Sequence, residues 1–444
     1  MSQRPLTAVI LAAGLGTRLR SRRPKVLHPV AYRPMIDLVL DACLEAGVKR
    51  PVAVLNPSQP EVAGHLGDRC QVVFQQQPRG TGHALSMVPK SLLLGDVVVI
   101  NADAALIRPE TIRALVDLHR ESGAKVTISS VQDPSRRDGR ILRDDAGEFL
   151  RIVEDKDATA EQRRGSEINV GLYCFRSEDL QGALAGLKPL NRAGEIYLTD
   201  AVARLRPIAI LAIDDADEAL GINDRIELAR AERVLRRRVL ERLMLSGVTV
   251  RDPQSTWVAP GVEVGTDTVI EPFSILLPGT RIGSDCQIGP HADIGDSEIG
   301  DGCRVEHSWL RGVKLGDRTD CGPFVRLRPG TFIAADVHVG SFAEINRTRI
   351  GTGSKVPHLS YLGDAVIGEN VNIGAGTITA NYDGSAKNAT SIEDGAFVGV
   401  ATMLRAPVRV GRGSRTGAGS IVLHDVPPGV TVAGSPAKEI RRKG

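Results

Sequence analysis

The chain is poor in several features that would each indicate a class of protein. Aromatic residues make up only 3% of its 444 residues, and the formal net charge at pH 7 is only +3. A charge this small gives no argument for nucleic-acid binding. No apolar run approaches the ~18 residues of a membrane-spanning helix, and the first residues show no cleavage pattern. We therefore expect no nucleic acid, no membrane span and no export.

Cysteine is also scarce and scattered. The six cysteines contain no CxxC pair and no clustered spacing: Cys43, Cys70, Cys174, Cys286, Cys303 and Cys321. This pattern argues against a disulfide framework and against a cysteine metal site. We expect reduced, mostly buried thiols, which are typical of a cytoplasmic protein.

Glycine is unevenly distributed along the chain. Of its 47 glycines, 29 follow Val250, and this shift predicts a boundary near residues 247–253. The chain is too long for one hydrophobic core, so two or three domains are expected. We predict a first domain over 1–223, a linker helix over 224–246 and a second domain over 247–444.

An aliphatic residue recurs at intervals of about six beyond residue 262. The clearest examples are Ile282, Ile288, Ile294, Ile299, Val305, Ile350, Val356, Leu362, Ile367 and Ile373. A period of six matches neither a strand nor a helix, whose periods are about 2 and 3.6. It predicts a coil with one short strand in each hexad and three hexads in each turn. The narrow interior of such a coil also suits a chain with few aromatic residues.

The first 223 residues instead alternate short apolar runs with helical patterns. We predict strands over 7–13, 51–56, 70–75 and 96–101, and helices over 35–46, 81–88 and 109–121. This order indicates an α/β, Rossmann-like doubly wound sheet whose ligand lies at the carboxyl ends of the strands. Residues 224–246 form a long amphipathic pattern that predicts the connecting helix.

A glycine-rich segment follows the first predicted strand directly. Gly14 and Gly16 allow a tight turn that brings N–H groups against an anion. Arg18 and Lys25 then supply fixed positive charge for a polyphosphate. The third glycine of a dinucleotide fingerprint is missing, and no Walker lysine follows. The alternative is a tight turn with solvated side chains, but the place after a buried strand favours phosphate binding.

Several separated motifs occur in a characteristic order. They are LAAGLGTR (11–18), PKVL (24–27), Gln75, GTGHA (80–84), EDKDAT (154–159), EIN (167–169) and GIN (221–223). The first two are the signature of sugar-1-phosphate nucleotidyltransferases. Together with the hexads, the set resembles the bacterial bifunctional N-acetylglucosamine-1-phosphate uridylyltransferase / glucosamine-1-phosphate acetyltransferase family over nearly the whole chain. The resemblance implies a nucleotidyltransferase domain, then a left-handed parallel β-helix with acetyltransferase activity, in a homotrimer.

The resemblance implies a first site that joins UTP to N-acetylglucosamine 1-phosphate and releases pyrophosphate. Asp103 and Asn223 would bind Mg²⁺. Arg18 and Lys25 would stabilise the charge on the leaving pyrophosphate. The residues implied to bind UTP or UDP-N-acetylglucosamine are Leu11, Ala12, Ala13, Gly14, Lys25, Gln75, Gly80, Thr81, Asn101, Ala102, Asp103, Gly139, Glu154, Asn169 and Asn223.

The second implied site transfers an acetyl group from acetyl-CoA to glucosamine 1-phosphate. This reaction needs a base for the amine proton and donors for the oxyanion. His358 matches the family's catalytic histidine, and an imidazole titrates in a suitable range. The matches to amino-sugar phosphate ligands are Arg328, Asn346, Tyr361 and Asn372. The matches to acetyl-CoA ligands are Ala375, Asn381, Tyr382, Val400 and Ala418, and the site would lie between subunits.

The chain departs from the family pattern in both parts. Asn101 and Ala102 replace a Tyr-Gly pair, and residues 135–138 replace the segment that precedes Gly139. Asn346, Val400 and Ser435 replace a lysine, a serine and an arginine, respectively. Loss of the lysine should weaken phosphate binding unless the adjacent Arg347 reaches the ligand.

These departures leave alternatives open. One is an enzyme that retains only one of the two activities, and another is a sugar-1-phosphate nucleotidyltransferase for a different nucleotide or sugar. A non-catalytic sugar-nucleotide sensor or trimeric scaffold would not need Arg18, Lys25, Asp103, Asn223 and His358.

Overall fold

A nine-stranded mixed sheet organises the first part of the chain. The computed structural model describes residues 4–189, 191 and 194–440. The strands are β1 Leu6–Ala12, β2 Pro29–Val30, β3 Arg33–Pro34, β4 Val52–Leu55, β5 Gln71–Phe74, β6 Asp96–Asn101, β7 Val126–Gln132, β8 Arg140–Arg143, β9 Phe149–Val153, β10 Glu167–Arg176 and β11 Ile208–Ala212. The main sheet has the order β11-β7-β10-β6-β1-β4-β5, β8 and β9 attach to β10, and β2 and β3 form a separate ribbon.

Among the described residues, seven α-helices accompany these strands. They are α1 Met35–Glu45, α2 Pro60–Leu66, α3 Thr81–Ser86, α4 Pro109–Ser122, α5 Ser177–Leu184, α6 Leu198–Ala203 and α7 Arg225–Leu245. Short 3-10 helices cover Thr17–Leu19, Lys25–Leu27, Gly67–Arg69, Lys90–Leu92, Gln162–Arg164 and Ala216–Ala219. The predicted elements of this part, including the strand over 96–101 and the long helix over 224–246, are observed within two residues of their predicted ends.

Both faces of the main sheet are buried. In β1, Ala8 and Ile10 belong to one apolar cluster, which also holds the buried side of α1 and α4. Val9 points to the other cluster, which holds residues of α3, α5 and α6. These three strand residues are fully buried, which explains why β1 is a continuous apolar run rather than an alternating one. The doubly wound architecture is therefore confirmed, although β10 runs antiparallel to both β6 and β7.

The rest of the chain is a coil of short strands stacked in three parallel sheets, as in a left-handed β-helix. We call the sheets the first, second and third faces. The first contains Thr249–Val250, Val269–Ile270, Gln287–Ile288, Arg304–Val305, Asp320–Cys321, His338–Ser341, Lys355–His358, Asn372–Ile373, Phe397–Val398, Arg415–Thr416 and Thr431–Ala433, followed by the antiparallel Lys438–Glu439. The second contains Trp257–Val258, Ile275–Leu276, Asp293–Gly295, Trp309–Arg311, Arg326–Leu327, Glu344–Asn346, Tyr361–Gly363, Ile378–Ala380, Met403–Arg405 and Ile421–Val422. The third contains Glu263–Val264, Arg281–Ile282, Glu298–Ile299, Lys314–Leu315, Phe332–Ile333, Arg349–Ile350, Ala365–Ile367, Thr390–Ile392 and Val408–Val410.

The hexad residues form the interior of this coil. All ten aliphatic residues named above belong to one buried cluster, and none is more than 5% exposed. Strand pairing places Ile270 beside Ile288 and Val305 beside Cys321, so these turns take 18 and 16 residues. The stacked coil predicted from the hexads is therefore confirmed.

One corner of the coil, between the first and second faces, has left-handed backbone on successive turns. Its members, called here the corner column, are Phe273, His291, His307, Phe324, Phe342, Leu359, Gly376, Ala401 and Gly419, with φ between 35° and 75°. The first five rings stack along the coil with centroids 4.9 to 5.7 Å apart. The column changes from aromatic to small residues beyond Leu359, and Phe273, Phe324 and Phe342 are each more than half exposed.

The chain divides into two compact units, Met1–Leu235 and Arg236–Gly444, within α7. The domain boundaries at 223 and 247 stay a prediction. All six cysteines are free and buried, as expected. In the parts of the chain that the structure describes, no helix is both long enough and apolar enough to cross a membrane.

Candidate active sites

The loop after β1 is shaped by one close backbone approach. Gly16 has a φ of 65°, and a Cβ at this position would lie 2.3 Å from Cβ of Lys25. Only glycine adopts this conformation without strain and leaves that space free. The loop can therefore fold against the 3-10 helix that begins at Lys25.

Lys25 meets the two residues predicted to bind a metal. Its Nζ donates to Oδ2 of Asp103 at 2.5 Å and to Oδ1 of Asn223 at 2.8 Å. The side chains of Lys25 and Asp103 are only 11% and 22% exposed. Two oxygen atoms thus converge on one cationic nitrogen at the carboxyl end of β6, where a parallel sheet places its ligands.

The backbone fixes this convergence. The amide of Ile222 donates to the carbonyl oxygen of Asp103 at 3.1 Å, which brings the start of α7 against the end of β6. The amide of Asn223 donates to Oε2 of Glu227 at 2.6 Å. A Cβ on Gly221 would lie 3.6 Å from Nδ2 of Asn223 and 4.0 Å from the carboxylate of Asp103, so Gly221 borders this cluster.

The donor set of this cluster suits Mg²⁺. Asp103 and Asn223 both present oxygen, the ligand type that Mg²⁺ prefers. Among the described residues there is no group of three or more His, Cys, Asp and Glu side chains that could hold a metal ion. Mg²⁺ usually keeps several waters and needs few protein oxygens, so the donor types of this pair fit it.

Arg18 is not part of the cluster. Its side chain is exposed, and within the described part of the chain it forms no hydrogen bond or ion pair. The structure therefore brings together three of the four residues expected at the phosphates.

The predicted nucleotide-binding residues of the sheet edge lie close to this loop. Ala12 and Ala13 are buried, and the buried Asn56 donates to the carbonyl of Ala13 at 3.3 Å. The amide of Ala102 donates to the carbonyl of Leu11 at 3.0 Å. The methyl group of Ala102 is 1% exposed and belongs to the core, so the replacement of glycine there fills interior space.

Gln75, Gly80 and Thr81 form a second group. The buried Gln75 donates from Nε2 to the carbonyl of Gly80 at 3.2 Å and contacts Nδ1 of His83 at 2.8 Å. Gly80 has a φ of 102° and would place a Cβ 2.5 Å from the carbonyl oxygen of Ile196. His83 was not among the predicted site residues, although it stands in the GTGHA motif.

Gly139, Glu154 and Asn169 form a third group. The amide of Asn169 donates to the carbonyl of Gly139 at 2.8 Å, and a Cβ on Gly139 would lie 3.4 Å from Oε2 of Glu154. Thr199 donates to Oε1 of Glu154 at 3.1 Å, and Asn169 donates to the hydroxyl of Tyr173 at 2.6 Å. Sequence reasoning missed Thr199 and Tyr173, and no local motif marks either one.

Burial sets the ionisation of this third group. It raises the pKa of Glu154, and nearby carboxylates, foremost Asp138, raise it further, while the hydrogen bond from Thr199 opposes the shift. Burial also raises the pKa of Tyr173. A carboxylate in such a place favours hydrogen bonds from uncharged hydroxyl groups, which many sugars offer.

In the second unit, four predicted residues lie along one edge of the corner column. His358, Ala375, Val400 and Ala418 each directly precede a column residue. The carbonyls of Ala375 and Val400 accept hydrogen bonds from the next turn, at 2.6 and 2.8 Å. Since successive turns of stacked strands are ~4.8 Å apart, these residues form a strip that begins at an exposed imidazole.

Tyr361 and Asn381 approach each other at Gly363. A Cβ on Gly363 would lie 2.6 Å from the hydroxyl of Tyr361 and 2.7 Å from Nδ2 of Asn381. Asn381 also donates to Oδ2 of Asp364 at 2.5 Å. Glycine at 363 is thus needed for the two side chains to converge.

The predicted phosphate ligands are less closely grouped. Arg328 donates to Oε1 of Glu344 at 3.2 Å, and Asn346 is 3% exposed. Arg347 is occupied by Asp364, to which it donates twice at 2.6 and 2.9 Å. Asn372 lies on the first face, paired with Lys355 of the strand that ends at His358.

A loop interrupts the coil between Ala380 and Thr390. The hydroxyl of Tyr382 donates to the carbonyl of Gly384 at 2.6 Å, and its ring is 60% exposed. Asp383 accepts hydrogen bonds from Ser385, Ala386 and Asn388, and these bonds lower its pKa. The loop is therefore braced internally and presents Tyr382 at its surface.

Comparisons with known proteins show similarity both to the first unit alone and to nearly the whole chain. The family model for nucleotidyl transferases matches residues 7–206. A protein of Heliobacterium modesticaldum named bifunctional protein GlmU is 48% identical over 432 residues, which cover 95% of this chain and 94% of the relative. Proteins of the same name from Syntrophomonas wolfei and Rubrobacter xylanophilus are each 46% identical over 449 residues, covering 99% of this chain and 100% and 95% of the relatives.

Proposed function

Because the chain belongs to the family of bifunctional GlmU proteins, we propose that its two units divide two consecutive transfers between them. The chain is an enzyme that makes UDP-N-acetylglucosamine, a precursor for cell-wall synthesis. It transfers an acetyl group to glucosamine 1-phosphate and then a uridylyl group to the product. We assign uridylyl transfer to residues 1–223, a linker to 224–246 and acetyl transfer to 247–444.

Uridylyl transfer needs charge neutralisation and alignment more than a base. The phosphate oxygen of N-acetylglucosamine 1-phosphate is already a nucleophile for the α-phosphorus of UTP, and pyrophosphate leaves. The largely buried ammonium of Lys25 supplies positive charge beside the proposed phosphate position, and it stabilises the phosphates in the transition state. Arg18, exposed on the same loop, is free to reach the leaving pyrophosphate.

Mg²⁺ would be held by the side-chain oxygens of Asp103 and Asn223, and it neutralises phosphate charge when bound. The convergence of these two oxygens on one cationic atom supports this assignment. Gly139, Glu154 and Asn169 would hold the amino sugar, helped by Thr199 and Tyr173. The groups around Leu11–Gly14, Gln75 and Thr81 would hold the uridine.

Acetyl transfer needs a base, and His358 is the proposed one. Its imidazole accepts the proton as the amine nitrogen of glucosamine 1-phosphate attacks the thioester carbonyl. The new C–N bond replaces the C–S bond, and CoA leaves as the thiol once it regains a proton. The strip of Ala375, Val400 and Ala418 would carry the extended arm of acetyl-CoA, with Asn381 and Tyr382 beside it.

Arg328, Asn346, Tyr361 and Asn372 would hold the phosphate and the amino sugar. We propose that the chain works as a homotrimer in the cytoplasm. The exposed aromatic half of the corner column supports self-association, because apolar rings gain stability when a second copy covers them. The six buried free cysteines suit a reducing compartment.

The observation that carries the proposal is the meeting of Lys25, Asp103 and Asn223. The test is product identification by mass spectrometry with UTP, glucosamine 1-phosphate, acetyl-CoA and Mg²⁺, and with other nucleotides and sugar phosphates. The expected product is UDP-N-acetylglucosamine. Lys25→Met should lower only uridylyl transfer, by about a hundredfold or more, and His358→Ala only acetyl transfer.

The remaining outcomes of that test each identify an alternative. One activity without the other would indicate a single-function enzyme. A different preferred substrate would indicate another nucleotidyltransferase, and ligand binding without turnover would indicate a sensor.

A further inference from the structure

The guanidinium of Arg136 links the loop that leads to Gly139 with the segment that leads to Asn223, and both residues are assigned to the proposed uridylyl site. Arg136 lies between β7 and β8, in the segment where the chain departs from its family. Its Nη2 donates to the carbonyl oxygen of Ala219 at 2.5 Å, and its Nε donates to Oδ2 of Asp138 at 2.7 Å. The side chain is only 15% exposed. Because the guanidinium is partly buried and bonds to both Ala219 and Asp138, it connects the segment of Ala219 to the loop of Asp138.

The Ala219 side of this link is firmly held. The carboxylate of Glu218, 4% exposed, accepts hydrogen bonds from the amide of Arg108 and the hydroxyl of Thr111 at the start of α4, at 2.9 and 2.7 Å. Three residues beyond Ala219, the amide of Ile222 bonds to the carbonyl of Asp103. The segment from 218 to 223 is therefore fixed without help from Arg136.

The other side of the link is a more exposed loop. Ser135 and Arg137 are exposed, and the side chain of Asp138 is 38% exposed. The loop ends at the buried Gly139, which lies against Glu154. The buried Arg140 also braces the loop, because it donates to the carbonyl oxygens of Arg136 and Asp138. The bond from Arg136 to Ala219 then ties this braced loop to the segment from 218 to 223.

The positive charge of Arg136 also affects the electrostatics around Glu154. Asp138 is the carboxylate whose proximity does most to raise the pKa of Glu154. Arg136 pairs with Asp138 and so offsets this repulsion. Without the guanidinium, two carboxylates would face the sugar position with less compensation.

We propose that Arg136 is a positioning residue for the amino-sugar phosphate, which holds the loop ending at Gly139 against the fixed segment that leads to Asn223. The inference deepens the proposed function and rests on it, since Gly139 and Glu154 are assigned to the sugar there. The side chain of Arg136 bonds to Asp138 and Ala219, neither of which is assigned to the nucleotide. Its effect is therefore confined to ligands that carry the sugar.

The test is calorimetric binding of UDP-N-acetylglucosamine and, separately, of UTP with Mg²⁺ to the full chain. Arg136→Gln should raise the dissociation constant for UDP-N-acetylglucosamine about tenfold, because hydrogen bonds to charged partners are lost. Its affinity for UTP should equal that of wild type, which also shows that the unit is folded. The matched control is Arg137→Gln at the neighbouring exposed arginine, and it should bind both ligands as wild type does.

A second variant separates the two contacts. Asp138→Asn keeps the bond from Arg136 to Ala219 and should raise the dissociation constant for UDP-N-acetylglucosamine by only about threefold. Equal weakening of both ligands in Arg136→Gln, or no weakening of either, would overturn the proposal. Wild-type protein that binds UTP but not UDP-N-acetylglucosamine would instead overturn the proposed function on which it rests.

Discussion

Arg347 forms a two-point ion pair with Asp364, one turn further along the coil. Nε donates to Oδ1 at 2.6 Å and Nη2 to Oδ2 at 2.9 Å. The guanidinium is therefore already satisfied and does not stand in for the lysine that Asn346 replaces. The same carboxylate also accepts from Asn381 at the start of the 381–389 loop, so Asp364 connects both residues.

Asp364→Asn should impair acetyl transfer selectively. The variant weakens the hydrogen bond that positions Asn381 and the exposed loop that follows it. We therefore expect the KM for acetyl-CoA to rise about tenfold, in line with the loss of a charged hydrogen bond. Uridylyl transfer should not change. Asp336→Asn is a matched control, because Asp336 forms the same two-point pair with Arg318 away from the proposed site. Equal effects of the two variants would contradict the prediction.

The same pair predicts a pH dependence of stability. The hydrogen bonds from Arg347 are the main cause that holds the pKa of Asp364 below its ordinary value of 3.8. A lowered pKa in the folded state stabilises the protein above the ordinary value, and the contribution is lost as the pH falls through the lowered pKa. Thermal melts should therefore show wild type more stable than Asp364→Asn at pH 6, with the difference shrinking towards pH 2. A constant difference would argue against the ion pair.

Gly16→Ala tests the shape of the loop after β1. An alanine in the left-handed region costs roughly 1–2 kcal/mol, and its Cβ would overlap Cβ of Lys25. We expect a loss of about 2 kcal/mol in the free energy of unfolding and reduced uridylyl transfer, measured by urea melts and initial rates. Gly14→Ala is the control for stability alone, because a Cβ there has no neighbour within 4 Å. Equal stability of the two variants would show that the loop can adjust.

The sequence predicted periodic features of this fold better than long-range ones. The hexads identify the buried residues of the coil because each of its turns repeats the same local geometry. The pairing of β10 with β6 joins residues that are more than 70 positions apart in the sequence, and no local pattern carries that information. The left-handed conformation of Phe273, Phe324 and Phe342 could not be predicted from the sequence either, since bulky residues rarely adopt it.

The candidate sites also contain residues that could be predicted from the sequence and residues that only the fold brings into place. The loop after the first strand indicated Lys25 and the family resemblance indicated Asp103 and Asn223, and these three side chains meet in the structure. Thr199 reaches Glu154 from α6, 45 residues away. A threonine in a helix has no distinguishing signal until folding brings it to a carboxylate.

The buried thiols predict resistance to chemical modification. Burial raises the pKa of Cys43 and of Cys321 to about 12. The hydrogen bond with Cys303 instead lowers the pKa of Cys286 to about 7, but all six cysteines are buried. A thiol-specific reagent at pH 8 should therefore label none of them rapidly in the native protein and all six after unfolding, because only the exposed thiolate reacts. Rapid labelling of the native protein would show that part of the chain opens readily.

Thr199 should control the pH at which the sugar phosphate binds. Its hydroxyl donates to Glu154 and lowers a pKa that burial raises, so Thr199→Val should raise that pKa further. A charged carboxylate accepts hydroxyl groups better than a protonated one, and the KM for N-acetylglucosamine 1-phosphate should therefore fall with rising pH through the pKa of Glu154. In Thr199→Val this fall should occur at higher pH, while the KM for UTP keeps its wild-type profile.

Thr199→Ser supplies the matched comparison, since it keeps the hydroxyl and removes only a methyl group. Its KM profile should coincide with that of wild type. If Val and Ser shifted the profile equally, packing rather than the hydrogen bond to Glu154 would be the cause. If neither shifted it, Glu154 would not be the group whose charge governs sugar binding, and its assignment to the amino sugar would fall.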